Sequence, residues 1–158
     1  ATVAVDGRTL SVTVHAVDSN DKIIIDEIVK KLEPRYDSHV HVIDHLIHPY
    51  EARILLGEGK VTITGRMHAA VSSINMGTVP ICLSYSVKFK GVIGDDFGLN
   101  DYIYQCRGDD IWYSGNVSTE VIARLNMVLE NRKSIVKKIN DKLELVKKKS
   151  MLQIEELF

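Results

Sequence analysis

Short β-branched and apolar runs alternate with segments of helical period along the first two thirds of the chain, and no other feature restricts the fold as much. Thr9 to His15, Val61 to Thr64, Val79 to Ser84 and Tyr102 to Cys106 read as strands, with Ser38 to Ile43 a further, weaker one. Between them, Ile24, Ile25, Ile28, Val29 and Leu32 recur at helical spacing until Pro34. His48-Pro49 opens a short helix with Tyr50, Ile54 and Leu55 on one side. Arg66 to Met76 has helical character and closes at Gly77. Strands separated by single helices predict βαβ units, hence an α/β fold: a Rossmann-like, mainly parallel sheet with helices on both faces.

The two ends are read separately. Residues 2 to 5 form another β-rich run, with Asp6-Gly7 as a tight-turn signal, so residues 1–8 are a linker or an extra strand. Asp18-Ser19-Asn20-Asp21 supplies capping residues for the helix that follows. From Ser118 on, Val121, Leu125, Val128, Ile135, Ile139, Leu143 and Val146 step by three, four or seven, giving a long amphipathic C-terminal helical segment over 118–158. An unbroken helix to residue 156 would span about 57 Å at 1.5 Å per residue, against a small-domain diameter of about 30 Å. A break near Asn131 to Ser134 is therefore expected, unless the helix reaches onto something outside the domain. Lys147-Lys148-Lys149 reads as a solvated helix end. The whole is one domain, 1–158.

Composition excludes several classes. The 20 lysines and arginines nearly balance the 21 aspartates and glutamates, so no overall field draws the chain to nucleic acid, and any anion site must be local. No apolar run approaches the ~18 residues of a membrane span. Cys82 and Cys106 lie in strand-like runs without a C-x-x-C, which favours reduced core thiols and a cytoplasmic location. His39, His41, His45 and His48 form a dense tract, but no carboxylate or cysteine pattern completes a metal site, and none is expected. Trp112 and Tyr113 read as a loop packing onto the sheet edge, with a sugar-stacking platform as the alternative.

The arrangement with chemical content is strand, glycine, helix at Thr64-Gly65-Arg66-Met67-His68. Ligands of parallel sheets bind beyond the carboxyl ends of the strands, where a following helix offers unpaired N–H groups to an anion. Gly65 allows close backbone approach, Arg66 can grip a carboxylate or phosphate by two hydrogen bonds, and His68 can move a proton near neutral pH. Alone, the tripeptide is equally a surface arginine beside a half-buried histidine. If the next strand is a neighbour, Tyr85, Ser86 and Lys88 join the same edge. By themselves, Lys88 and Lys90 are as readily two solvated loop lysines.

The stretch from His48 to Leu99, HPYEARILLGEGKVTITGRMHAAVSSINMGTVPICLSYSVKFKGVIGDDFGL, resembles the carboxyl-terminal region of the polysaccharide pyruvyl transferases. The family's pattern is G-R-M/L-H-A, a small-residue helix, G-x-P, and a strand leading into Y-S-x-K; this chain follows it except that Gly77 and Pro80 are separated by two residues rather than one. The resemblance implies a transferase of polysaccharide biosynthesis that moves pyruvyl from phosphoenolpyruvate to sugar hydroxyls as a ketal, with two Rossmann-like halves of GT-B type facing a cleft. By position, it assigns Gly65, Arg66, His68, Tyr85, Ser86 and Lys88 to phosphoenolpyruvate, with His68 as acid/base and no cofactor beyond that co-substrate. The partners implied are phosphoenolpyruvate and a carbohydrate acceptor. The amino-terminal, acceptor-binding half of such enzymes is not recognisable in the chain. That leaves a domain fragment or a split-enzyme subunit, inactive without the missing half or a partner subunit. A nucleotide-sugar glycosyltransferase or epimerase half, and a non-enzymatic binding module of the same fold, are the alternatives.

Overall fold

In the computed structural model, which describes residues 2–7, 10–15, 19–106 and 110–155, the β-rich runs assemble into one six-stranded sheet. The strands are β1 (Thr2–Gly7), β2 (Leu10–His15), β3 (Val40–Ile43), β4 (Val61–Thr64), β5 (Val79–Ser84) and β6 (Ile103–Gln105), in the spatial order β3-β2-β1-β4-β5-β6. Only β1 runs against the others: it pairs antiparallel with both β2 and β4, while β2 with β3, β4 with β5, and β5 with β6 are parallel. The sheet is thus mainly parallel, with five strands sharing one direction. Asp6 and Gly7, read as a turn, are instead the last residues of β1, opposite Ser11 and Leu10. The connection itself, residues 8 and 9, lies outside the described residues.

Helices link the parallel strands. They are α1 (Ser19–Lys31), α2 (Pro49–Glu58), α3 (Met67–Asn75), α4 (Asp110–Tyr113) and α5 (Val117–Glu155). The path from β2 through α1 to β3 moves one way across the sheet, whereas α2 and α3 carry the chain the other way, to β4 and β5. Because crossovers between parallel strands are right-handed, the reversal puts α1 on one face and α2 with α3 on the other. The chain is therefore a Rossmann-like α/β domain with helices on both faces, and its direction of winding switches between β2 and β4, across β1.

The core lies in the β4–β6 half. Val61, Ile74, Val79, Ile81, Phe89, Ile93, Leu99, Val128 and Ile139 are all essentially fully buried in one cluster. The small residues of α3 let it sit close on β4, where the buried Ser73 hydroxyl donates to Thr62 Oγ1 at 2.8 Å. Gly77 ends α3 at φ 75°, so that its N–H reaches Ile74 O at 3.0 Å and the Thr78 N–H reaches Ser73 O at 2.8 Å. This double closure satisfies carbonyls that the helix end would otherwise leave open. Beyond β5, residues Lys90–Asp96 form a wide helical turn, followed by a short 3-10 turn at Asn100–Tyr102.

Several expectations change. The β3 strand is shorter than predicted, because Pro34–His39 winds into a 3-10 helix first. The apolar stripe of α1 is mostly open: Ile25 is buried, but Ile24, Ile28 and Val29 are exposed. On α2 the buried residue is Leu56, while Tyr50 and Ile54 face outward. No break occurs near Asn131 to Ser134; α5 is continuous over 39 residues, or about 58 Å. It contains neither proline nor glycine, and Asn131 donates to Met127 O within the helix at 3.0 Å rather than interrupting it. The lysine run is not its end either, since the helix continues to Glu155, with Lys147 on Glu144 and Lys149 near Asp96. Trp112 and Tyr113 lie on α4, which packs against α5, and Tyr113 is largely exposed.

Candidate functional site

The parallel strands end along one edge, and the register fixes what meets there. Thr64 is aligned with Cys82, and Ser84 with Gln105, so the chain leaves β4, β5 and β6 side by side. Gly65 and Arg66 follow β4, Tyr85 to Lys88 follow β5, and Cys106 follows β6 with its N–H on Ser84 O. The neighbour relation assumed for β4 and β5 therefore holds. All of Gly65, Arg66, His68, Tyr85, Ser86 and Lys88 belong to this edge.

Each is set there by local structure. A Cβ on Gly65 would lie 3.4 Å from Leu83 O, at the edge of ordinary van der Waals contact with the neighbouring strand's backbone. Arg66 occupies the position before the first turn of α3 in extended conformation, and its N–H donates to Thr64 Oγ1 at 3.0 Å. Among the described residues no side chain caps the start of α3, whose first-turn N–H groups have no acceptor within the helix. His68 is exposed in that turn. After β5, the Ser84 and Ser86 hydroxyls knit the turn: Ser86 N–H donates to Ser84 Oγ, and Lys88 N–H to Ser86 Oγ, each at 3.3 Å. Tyr85 is exposed and sets its ring edge-on against the buried Phe89, with centroids 6.2 Å apart. The Lys88 side chain is exposed, as a lysine held by backbone hydrogen bonding alone would be.

The residue that sequence reading missed is Asp21. Its spacing marks it only as a capping residue of α1, yet its carboxylate sits in the first turn of that helix with Oδ2 2.7 Å from Arg66 Nη2. The Asp21 side chain is 10% exposed and the Arg66 side chain 39%, so the acid is the inner partner of the pair. This ion pair bridges the place where the winding switches, joining the starts of helices on opposite faces of the sheet. The signal was available in principle: an acid opening the helix after β2 and an arginine opening the helix after β4 belong to the same edge. Further along, Lys22 donates to Asp44 at 3.1 Å, tying α1 to the end of β3. That bond is the main reason the Asp44 carboxyl is held below, and the Lys22 ammonium above, its ordinary range.

The other groups singled out in the sequence stand apart from this edge or are committed to structure. His48 caps α2, accepting from the Tyr50 N–H on Nδ1 at 3.3 Å while its own N–H donates to Glu51 at 2.8 Å. Among the described residues no three histidines, cysteines or acids converge as a metal site. Burial pushes the Cys82 thiol up to about 12, which makes it a core group rather than a nucleophile. No described helix is long and apolar enough to cross a membrane.

Fold and edge together define a class: a Rossmann-like domain that gathers an arginine, a histidine, hydroxyls and a lysine where its parallel strands end, the composition of a small-anion site. The family model described as polysaccharide pyruvyl transferase matches residues 3–87, more than half of the chain, and the chain belongs to that family. The match extends far upstream of His48, taking in β1 to β3 and Asp21, and it ends one residue before Lys88. The family is one of transferases, with a carbohydrate as acceptor. No curated protein and no solved structure matches significantly.

Proposed function

We propose that this domain is the donor-binding half of a GT-B-type pyruvyl transferase, holding phosphoenolpyruvate at the edge formed by Gly65, Arg66, His68, Tyr85, Ser86 and Lys88. The observation that carries the reading is the register of β4 and β5, which brings Arg66 and the Lys88 turn to neighbouring strand ends beside the uncapped start of α3. Phosphoenolpyruvate carries a carboxylate and a phosphate, and two cations with a helix amino terminus match that charge better than they match a neutral sugar or nucleoside.

The chemistry follows from the charges. A proton added to the methylene carbon leaves C2 electron-poor. An acceptor hydroxyl then adds to C2 and gives up its proton, and the C2–O bond to phosphate breaks with its electron pair leaving on phosphate. A second hydroxyl adds to C2, losing its proton and closing the ketal; the two hydroxyl protons balance the one gained by carbon and the one taken up by phosphate. Arg66 and Lys88 stabilise the departing phosphate, and His68 is the acid/base. The acceptor binds across the cleft, on a second domain or subunit.

Calorimetry on the chain with phosphoenolpyruvate, set against a nucleotide sugar, tests the donor. Binding of the former alone is expected, and preference for the nucleotide sugar overturns the reading. In an active assembly, His68→Gln lowers turnover more than donor affinity; unchanged turnover removes His68 from the chemistry.

A further inference from the structure

We propose that Ser84 is a positioning residue of the donor site: its buried hydroxyl fixes the turn that carries Lys88, so that the main chain of the lysine is already placed when the donor arrives. The inference rests on the reading of Lys88 as a donor ligand given above. Its basis is that Ser84 has no exposed surface with which to touch a ligand, while both polar groups of the Ser86 main chain are fastened to its side chain.

A hydroxyl closed off from water has to find its partners inside the protein. That of Ser84 donates to Ser86 O at 2.8 Å and accepts from the Ser86 N–H at 3.3 Å, so one side chain holds residue 86 at two points. The Ser86 hydroxyl in turn accepts from the Lys88 N–H at 3.3 Å, and the buried Phe89 gives its N–H to Ser86 O at 3.2 Å. Lys88 thus stands between a clamped serine and a core phenylalanine. Ser84 is fixed in its own right, since its carbonyl accepts at 2.6 Å from the Cys106 N–H of the chain leaving β6. The same device closes β4, where the buried Thr64 hydroxyl accepts from the main-chain N–H two residues on, at 3.0 Å.

What the fixing does follows from what an anion site requires. A lysine side chain is long and mobile, and binding through it has to order both the side chain and the main chain that carries it. Where the main chain is ordered beforehand, the side chain alone remains to be placed. A serine that merely fills the core affects stability and leaves the donor's affinity as it was. A serine that positions Lys88 affects affinity, and does so through the lysine.

The experiment is calorimetry of the full 158-residue chain with phosphoenolpyruvate, for the wild type, Ser84→Ala, Ser84→Thr, Lys88→Ala and the combined Ser84→Ala, Lys88→Ala protein, with thermal unfolding to establish that each is folded. Lys88→Ala is expected to weaken binding about twentyfold, the loss of one charge-assisted hydrogen bond. Ser84→Ala is expected to weaken it about fivefold, because the turn must then be ordered at the expense of binding. Ser84→Thr keeps the hydroxyl, as Thr64 does at the end of β4, and is expected to stay within about twofold of wild type, a rescue that a merely structural role does not give. The combined protein is expected to bind within about twofold of Lys88→Ala alone, because the serine acts through the lysine. Wild-type affinity in the folded Ser84→Ala protein, with Lys88→Ala defective, overturns the positioning role and leaves the proposed function standing. An undiminished effect of Ser84→Ala in the Lys88→Ala background does the same, as does a folded Ser84→Thr protein as weak as Ser84→Ala. Absence of phosphoenolpyruvate binding by the wild type, or full binding by Lys88→Ala, overturns the reading of Lys88 as a ligand and the inference with it.

Discussion

The two flanks of the sheet are built differently. From residue 61 to 139, strands β4 to β6, helix α3, the wide turn after β5 and the middle of α5 bury a continuous cluster of large side chains to near zero exposure. From residue 21 to 58, only Ile25 and Leu56 among the apolar side chains are buried, and Ile23, Ile24, Ile28, Val42, Leu46, Tyr50 and Ile54 are exposed. That flank is tied down by polar contacts: the Lys22–Asp44 pair, the His48–Glu51 cap and the Asp21–Arg66 pair. Close packing fixes atoms to fractions of an ångström, whereas exposed ion pairs contribute little and fall with salt. The proposed anion site sits on the seam, where Arg66 of the packed flank meets Asp21 of the open one.

The contrast can be broken at the packed flank first. Native alkylation with iodoacetamide at pH 8 is expected to spare Cys82 by about a thousandfold relative to the unfolded chain, because burial holds its thiol near 12 and leaves little thiolate. Mass mapping of the labelled cysteine checks it, and comparable rates in the two states would mean that this core opens freely. Ile81→Ala, at a site with no exposure, is expected to cost about 3 kcal/mol in urea unfolding. Gly77→Ala meets no atom within 4 Å, so its cost of about 1 kcal/mol comes from the positive φ alone.

At the open flank the effects shrink. Ile28→Ala removes a side chain that is 42% exposed and is expected to change stability by less than about 0.5 kcal/mol, since alanine also favours the helix. A loss as large as that of Ile81→Ala would show that α1 is covered in solution. Asp44→Asn is the smallest. Lys22 lowers the Asp44 carboxyl's pKa, so the pair's contribution is present above the ordinary carboxylate range and fades as pH falls through the lowered value. The pair is exposed, so the difference in thermal midpoint between Asp44→Asn and wild type is expected to vanish in 0.5 M salt, taken as a roughly 4 Å screening length.

Much of this was legible before the fold was in hand. The β-branched runs at Val61 to Thr64 and Val79 to Ser84 became strands at those bounds, and the small-residue helix closed at Gly77. These are local signals, written within a few residues. The failures are of another kind. The stripe of α1 had helical spacing but is largely uncovered, because spacing tells which residues share a face and not whether anything covers it. The length of α5 was judged against the size of the domain, although an uninterrupted helix needs only a partner along part of its face.

The sequence alone determined the alternation of strands and helices, the glycine–arginine–histidine start of α3 and, through these, the family. It could do so because each depends on neighbours in the chain. Only the tertiary structure decided that β1 opposes the other strands, that the winding reverses across it, and that Asp21 reaches Arg66 from 45 residues away. Strand order and an ion pair between distant helices depend on which surfaces meet after folding, and no local pattern of residue types encodes that meeting.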